Sequence, residues 1–228
     1  MGRQAQETDM QVQSVEVGRA GLPATANLID IAPQLALPGF TVTYDPNEEI
    51  FGEEEDADFV YKVISGAVRT TRLLTDGRRQ IGAFYMAGDV FGLEAGPAHR
   101  FSAEAIAPTE IGLVRRSALE RAAENDSQAA RQLRAITSHE LEDLQDHMLL
   151  MGRKNAAERV GSFLLKLARR ASSAIVELPM SRGDIADHLG LTLETVSRTF
   201  SQFVRDQVIG LPSARCVVLR NPAALAAT

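Results

Sequence analysis

The segment DIADHLGLTLETVSRTF, Asp184 to Phe200, constrains the fold more than any other stretch of the chain. Two helices that cross steeply need a small residue where they approach and a residue able to turn the corner between them. Ala186 and Gly190 supply these. Ile185, Leu189, Leu191 and Val196 are spaced to lock such a pair, and Phe200 and Phe203 continue the buried face from Val196 at helical steps. Ser181 and Thr192 stand where the N-caps of the two helices belong. Only Thr199 falls where an apolar side chain is commoner. The spacing predicts a helix-turn-helix.

That pattern leaves Glu194, Thr195, Ser197 and Arg198 facing away from the core, in the first two turns of the second helix. Those turns are what a recognition helix places in the major groove. The planar fork of Arg198 suits the two acceptors of a guanine, and Ser197 can touch a neighbouring base. Phosphates repel a carboxylate, so Glu194 belongs there only if it accepts from a cytosine or adenine amino group; it can also hold Arg198 by a hydrogen bond. An ordinary exposed Glu–Arg pair one turn apart, worth about 0.3–0.5 kcal/mol, is the plainer reading. The Ala/Gly spacing and the strand pair that follows weigh against it. Glu194, Ser197 and Arg198 are therefore the candidate base readers. Lys154, Ser181, Arg182, Thr192 and Thr195 are the candidate phosphate contacts, which set affinity rather than sequence.

Periodicity divides the rest of the chain. Residues 1–33 are polar and aperiodic and read as a mobile leader, with a short helical turn near Leu28. Residues 34–116 carry short strand-like runs broken by turn signals, among them FTVTY, DFVYKVISGAVRTTRLL and a hairpin at Asp76-Gly77. Many short strands at close spacing predict a jelly roll or double-stranded β-helix barrel. Residues 117–151 turn helical. Thr137, Leu141, Leu144, Met148 and Met151 recur at four and three, a heptad seam that suits a homodimer, while Leu133 and Ile136 lie off it and suit packing on the barrel. Residues 152–228 read as the DNA-binding part: a helix capped by Asn155, the helix-turn-helix, and a two-stranded wing turning at Pro-Ser-Ala, with the end NPAALAAT expected to fray. The fold class is thus α+β: barrel, long dimerisation helix, winged helix-turn-helix.

Charge follows the same division. From Gly152 to Thr228 there are 11 Lys/Arg and 6 Asp/Glu, a net of +5; the remainder has 13 basic and 24 acidic residues, a net of -11, and the two sum to the chain's -6. A basic part on an acidic body suits a polyanion partner. No apolar run is long enough for a membrane helix, the N-terminus lacks a signal-peptide core, and a single cysteine makes no internal disulfide, so a cytoplasmic location is expected.

The chain resembles the Crp/Fnr superfamily of bacterial transcription regulators over nearly everything from Leu35 to Asn221. DGRRQIGAFYMAGDVFGLE resembles the effector-domain barrel, KNAAERVGSFLLKLARR the linker helix and LTLETVSRTF the recognition helix. The Glu-x-x-Ser-Arg pattern of Glu194, Ser197 and Arg198 is like the Fnr and FixK branches. The resemblance implies a symmetric dimer through the long helix, reading a palindrome of TTGA-type half-sites one DNA turn apart. It also implies Arg198 on the guanine, Glu194 on the complementary strand and Ser197 near a thymine. The cyclic-AMP receptor branch has an arginine where this chain has Leu193, so its half-site is not expected.

The barrel of that family commonly senses a signal. For a cyclic nucleotide the candidate partners are Arg100 and Ser102, at a shifted spacing in a short segment. The lone Cys216 excludes an Fnr-type iron–sulfur cluster. For haem the candidate is His99, although a lone histidine is more often at the surface. The favoured reading has no cofactor and no small-molecule effector; a cyclic-nucleotide- or haem-responsive regulator is the alternative. Cys216 offers a redox route if Arg215 lowers its pKa, against the plainer reading of a small buried strand residue. His139, Asp143 and His147 share one helix stripe but read as a solvated face, so no metal is expected. The acidic turn NEEIFGEEEDAD suits RNA polymerase or simply solvent. An enzyme with a cupin-like barrel would need clustered histidines, and residues 35–111 hold only His99. The chain is expected to be a transcription regulator, in particular an activator, and not an enzyme.

Overall fold

The computed structural model describes residues 27–153 and 155–227. Nine strands come first: β1 (Asn27–Ala32), β2 (Leu35–Tyr44), β3 (Glu49–Phe51), β4 (Phe59–Ser65), β5 (Ala67–Leu73), β6 (Arg79–Met86), β7 (Val90–Phe91), β8 (Ser102–Ala105) and β9 (Thr109–Arg115). They form two antiparallel sheets, β1-β2-β9-β4-β7 and β3-β8-β5-β6, curled into the half-barrel that the strand spacing predicts. Tyr44, Phe51, Tyr61, Phe91, Ile111 and Leu113 fill the space between them. Gly66 makes the corner from β4 to β5 at φ +85, where a Cβ would fall 2.5 Å from the Pro108 carbonyl oxygen; only glycine fits there.

The first strand departs from expectation. Residues 27–32 pair with β2 as an edge strand, where the sequence reads as leader with a helical turn near Leu28. Ile29 and Ile31 bury against Val60, Val90 and Val114, partners far along the chain that no local pattern announces. The remainder of the leader, residues 1–26, lies outside the described residues.

Two helices follow, α1 (Arg116–Asn125) and α2 (Ser127–Arg153). At 1.5 Å per residue, α2 spans roughly 40 Å. Leu133 and Ile136 pack with Leu119, Ala129 and the β1 side of the barrel, as their off-seam position predicts. Along the seam Leu141, Leu144 and Met148 are 55%, 55% and 66% exposed. Thr137 is also exposed, its hydroxyl donating to the Leu133 carbonyl at 3.0 Å. Met151 differs: its Cε lies 2.5 Å from where a Cβ on Gly190 would be, so it packs against the helix-turn-helix corner.

The C-terminal part comprises α3 (Ala156–Ala171), β10 (Ile175–Glu177), α4 (Arg182–Leu189), α5 (Leu193–Arg205), β11 (Ile209–Ser213), β12 (Cys216–Leu219) and α6 (Pro222–Ala227). Asn155 caps α3 in a reciprocal capping box with Glu158. Val160, Phe163, Leu164 and Leu167 of α3 bury with Ile185, Leu189, Val196, Phe200 and Phe203 in one core. Two details of the wing are corrected. Its sheet has three strands, β10-β12-β11, and Pro212 and Ser213 belong to β11, so the chain turns at Ala214-Arg215. The segment after Asn221 does not fray into solvent either, for α6 plants Leu225 in the core at 2% exposure. Among the described residues no helix is long and apolar enough to cross a membrane.

Candidate nucleic-acid interface

Capping builds the interface. Ser181 accepts from the Asp184 amide at 3.0 Å while the Asp184 side chain accepts from the Ser181 amide at 3.0 Å, which closes the start of α4. Gly190 ends α4 in the left-handed region, φ 61 and ψ 40, and Thr192 starts α5 by accepting from the Thr195 amide at 3.2 Å. Val196, Thr199, Phe200 and Phe203 then form the buried face of α5. Thr199 is tolerated there because its hydroxyl donates to the Thr195 carbonyl at 2.9 Å.

The opposite face carries Glu194, Ser197 and Arg198, all exposed. The three sit within the first two turns of α5, and no ion pair joins Glu194 to Arg198 among the described residues. Glu194 is held below the usual carboxylate range, chiefly by its own backbone amide and the Thr192 hydroxyl, with a smaller pull from Arg198. It is therefore an ionised, acceptor-only group at the helix N-terminus, suited to an amino donor. Arg198 carries five donors and no acceptor, the complement of a guanine edge.

The candidate phosphate contacts have mixed settings. Thr192 is exposed and Thr195 half-buried, with their hydroxyls 3.0 Å apart at the helix start. The Ser181 hydroxyl donates to Asp184 Oδ2 at 2.8 Å, so its capping role already occupies it. The Arg182 guanidinium lies 3.2 Å from the Phe200 ring centroid, its Nη1 is buried without a partner, and burial pushes its pKa down to about 10. That arginine is a packing element as much as a surface charge. Lys154 lies outside the described residues.

Other candidates separate from the interface. Cys216 sits opposite Glu177 in the β10–β12 ladder, and partial burial followed by the Glu177 carboxylate raises its pKa. That direction is opposite to the one Arg215 would give, and accords with the plainer reading of a small strand residue. On α2, Asp143 pairs with Lys166 at 2.8 Å and His147 stacks on His188 at 4.3 Å, which splits the His139 stripe.

His99 is not at the surface but 2% exposed inside the barrel. Its ring stacks on Phe51 at 3.6 Å; Nδ1 is 3.1 Å from Glu94 Oε1 and Nε2 is 3.5 Å from the Tyr61 hydroxyl. The signal available in the sequence was Glu94, five residues upstream across a tight glycine-proline loop. Arg100 is exposed, and the Ser102 hydroxyl accepts from the Glu53 amide at 3.0 Å.

A half-barrel joined through a long helix to a winged helix-turn-helix, with an acid and an arginine exposed on its second helix, defines a DNA-binding transcription regulator. Residues 158–228 match the Crp-like helix-turn-helix domain and residues 41–126 the cyclic nucleotide-binding domain. The nitrogen fixation regulation protein FixK of Azorhizobium caulinodans is 48% identical over 200 residues, 85% of this chain and 81% of that protein. The transcriptional activatory protein AadR of Rhodopseudomonas palustris is 43% identical, over 74% of this chain and 72% of its own length. The structure of FixK2 from Bradyrhizobium japonicum superposes with a TM-score of 0.79 at 56% identity, covering 83% of this chain and 96% of that one. The chain belongs to the Crp/Fnr family and is a FixK-like regulator. These relatives are named as regulators, not as enzymes.

Proposed function

We propose that the protein is a transcription activator that binds, as a homodimer through α2, a palindrome of TTGA-type half-sites and does so without a small-molecule effector. The observation that carries this reading is the exposed trio Glu194, Ser197 and Arg198 on a helix whose back is locked by Val196, Phe200 and Phe203. Arg198 takes the guanine, Glu194 accepts from an amino group on the complementary strand, and Ser197 lies near a thymine. Thr192 and Thr195 approach the phosphates beside them, with Lys154, Ser181 and Arg182 at the margins.

Dimerisation is supported by Leu141, Leu144 and Met148, three large apolar side chains left exposed at heptad spacing on one helix. Two α2 helices paired along this line would carry one recognition helix to each half-site, ~34 Å apart. Independence from an effector is supported by the barrel. Arg100 is exposed, the Ser102 hydroxyl is engaged by the Glu53 amide, and His99 has both ring nitrogens near protein partners, where a haem ligand needs one free. The protein acts in the cytoplasm, and the acidic turn around Glu54 meets RNA polymerase.

Selection of bound DNA from a random pool, by purified protein with nothing added, tests this reading. Enrichment of a palindrome with TTGA-type halves is the expected result. Enrichment only in the presence of a cyclic nucleotide or haem contradicts effector independence, and enrichment of single half-sites contradicts the dimer.

A further inference from the structure

The first helix of the helix-turn-helix is fastened to the barrel by a dense set of polar contacts. Arg69 of β5 is only 8% exposed. Its Nη1 donates to Asp184 Oδ1 at 3.1 Å, while Nε and Nη2 donate to Glu104 Oε2 at 2.8 and 2.6 Å. Arg79 of β6 donates from Nη2 to the same Asp184 oxygen at 2.7 Å and from Nε to Asp187 Oδ2 at 2.9 Å. Next to it the Gln80 side-chain amide donates to the Asp187 carbonyl at 2.8 Å, and His188 Nδ1 donates to the Ile81 carbonyl at 3.2 Å. Phe84 closes the contact against His188 and Phe163, with ring centroids 5.1 and 6.1 Å away.

The same helix is also tied to α2. Arg159 donates to the Leu189 carbonyl at 3.0 Å and to the Met151 carbonyl at 2.9 Å, and His147 stacks on His188. Among the described residues no hydrogen bond or ion pair joins α5 to the barrel. The base-reading helix is therefore held only through α4 and the core behind it.

We propose that Arg69 and Arg79 are positioning residues for DNA recognition: by gripping Asp184 and Asp187 they fix the angle between α5 and α2, and so select the separation of the two half-sites. The proposal rests on the reading above of a dimer on a palindrome. Its physics is that of a population shift. A winged helix free to swing presents the productive angle only part of the time, and apparent affinity falls by that fraction for each protomer that must engage. A single half-site makes no demand on the angle, so it is bound equally well by a clamped or a loose domain. Fixed charges on β5 and β6 would in this way let the barrel govern DNA binding through the populations of the winged helix.

The test measures binding by fluorescence anisotropy on the selected palindrome, on versions with one base pair added to or removed from the spacer, and on an isolated half-site. Arg79→Ala is expected to weaken the palindrome ~10-fold, to flatten the penalty for altered spacing, and to leave the half-site within about twofold. Asp187→Ala removes the partner of Arg79 Nε while Asp184 keeps both of its arginines, and is expected to flatten the spacing penalty in the same direction by a smaller amount; it carries the test alone if Arg79→Ala does not fold. An unchanged spacing penalty in Arg79→Ala, an equal loss on palindrome and half-site, or an Asp187→Ala variant with the full wild-type spacing penalty overturns the proposal. Wild-type protein that binds the half-site as tightly as the palindrome overturns the dimer reading instead, and the proposal with it.

Discussion

In α4 the charged side chains turn into the protein, whereas in α5, the other half of the same motif, they turn out of it. Asp184 is 4% exposed, capped by Ser181 and gripped by two arginines; Glu194 is exposed, shares no ion pair among the described residues and yet remains ionised. Both are acids in the first turn of a helix. Their surroundings assign them different work. Burial opposes the Asp184 charge, but the Ser181 amide and hydroxyl, then Arg69 and Arg79, outweigh it and hold the carboxyl below its usual range. A charge satisfied within the fold contributes to geometry, and a charge kept unsatisfied at the surface is available to a partner.

This contrast ranks what substitutions do. Asp184→Ala removes the shared partner of two arginines, one of them buried, together with the first-turn cap. A loss of roughly 3 kcal/mol in chemical denaturation is expected. Arg198→Ala should leave the denaturation curve in place but cost about 1–3 kcal/mol on the selected site, and little on random DNA. Glu194→Gln should change affinity less than it changes choice: the amide both donates and accepts, so selection from a random pool should relax at the complementary base.

Two smaller effects sharpen the same division. His188 of α4 is enclosed by Phe84, Phe163 and His147, and burial, then the charge of His147, lowers its pKa to about 3 from an ordinary 6.5. Its folded pKa lies below the unfolded one, so the contribution is intact above about pH 6.5. As pH falls below that value the unfolded chain takes up the proton first, and stability declines by at most about 1.4 kcal/mol per pH unit until about pH 3. His188→Gln should remove this slope from a pH series of melting curves. Cys216→Ser should leave DNA binding unchanged under both oxidising and reducing conditions, since Glu177 and burial hold the thiol protonated.

The same division governs what the sequence discloses. The helix-turn-helix was legible, caps at Ser181 and Thr192 included, because its caps and its corner are made by residues within one turn of each other. The half-barrel was legible as a class through its turn signals, and Leu133 and Ile136 announced the face of α2 that packs on it. What escaped was set by distant partners. Residues 27–32 become a strand because β2 offers an edge, His99 is buried because Phe51 and Tyr61 meet it across the barrel, and Arg69 finds Asp184 from 115 residues away. A charged residue in the β-branched run AVRTTRL was the one trace of that last contact, and nothing local said what it would bind.

The base-reading role of α5 is tested most directly by a double-mutant cycle between Arg198 and the half-site guanine. Dissociation constants are measured for wild type and Arg198→Ala on the selected palindrome and on the same DNA with that base pair replaced in both halves. If the guanidinium reads the guanine, either change alone weakens binding, and the second change adds almost nothing once the first is made. Losses that simply add would mean that Arg198 touches something else, and the recognition face described here would be the wrong one.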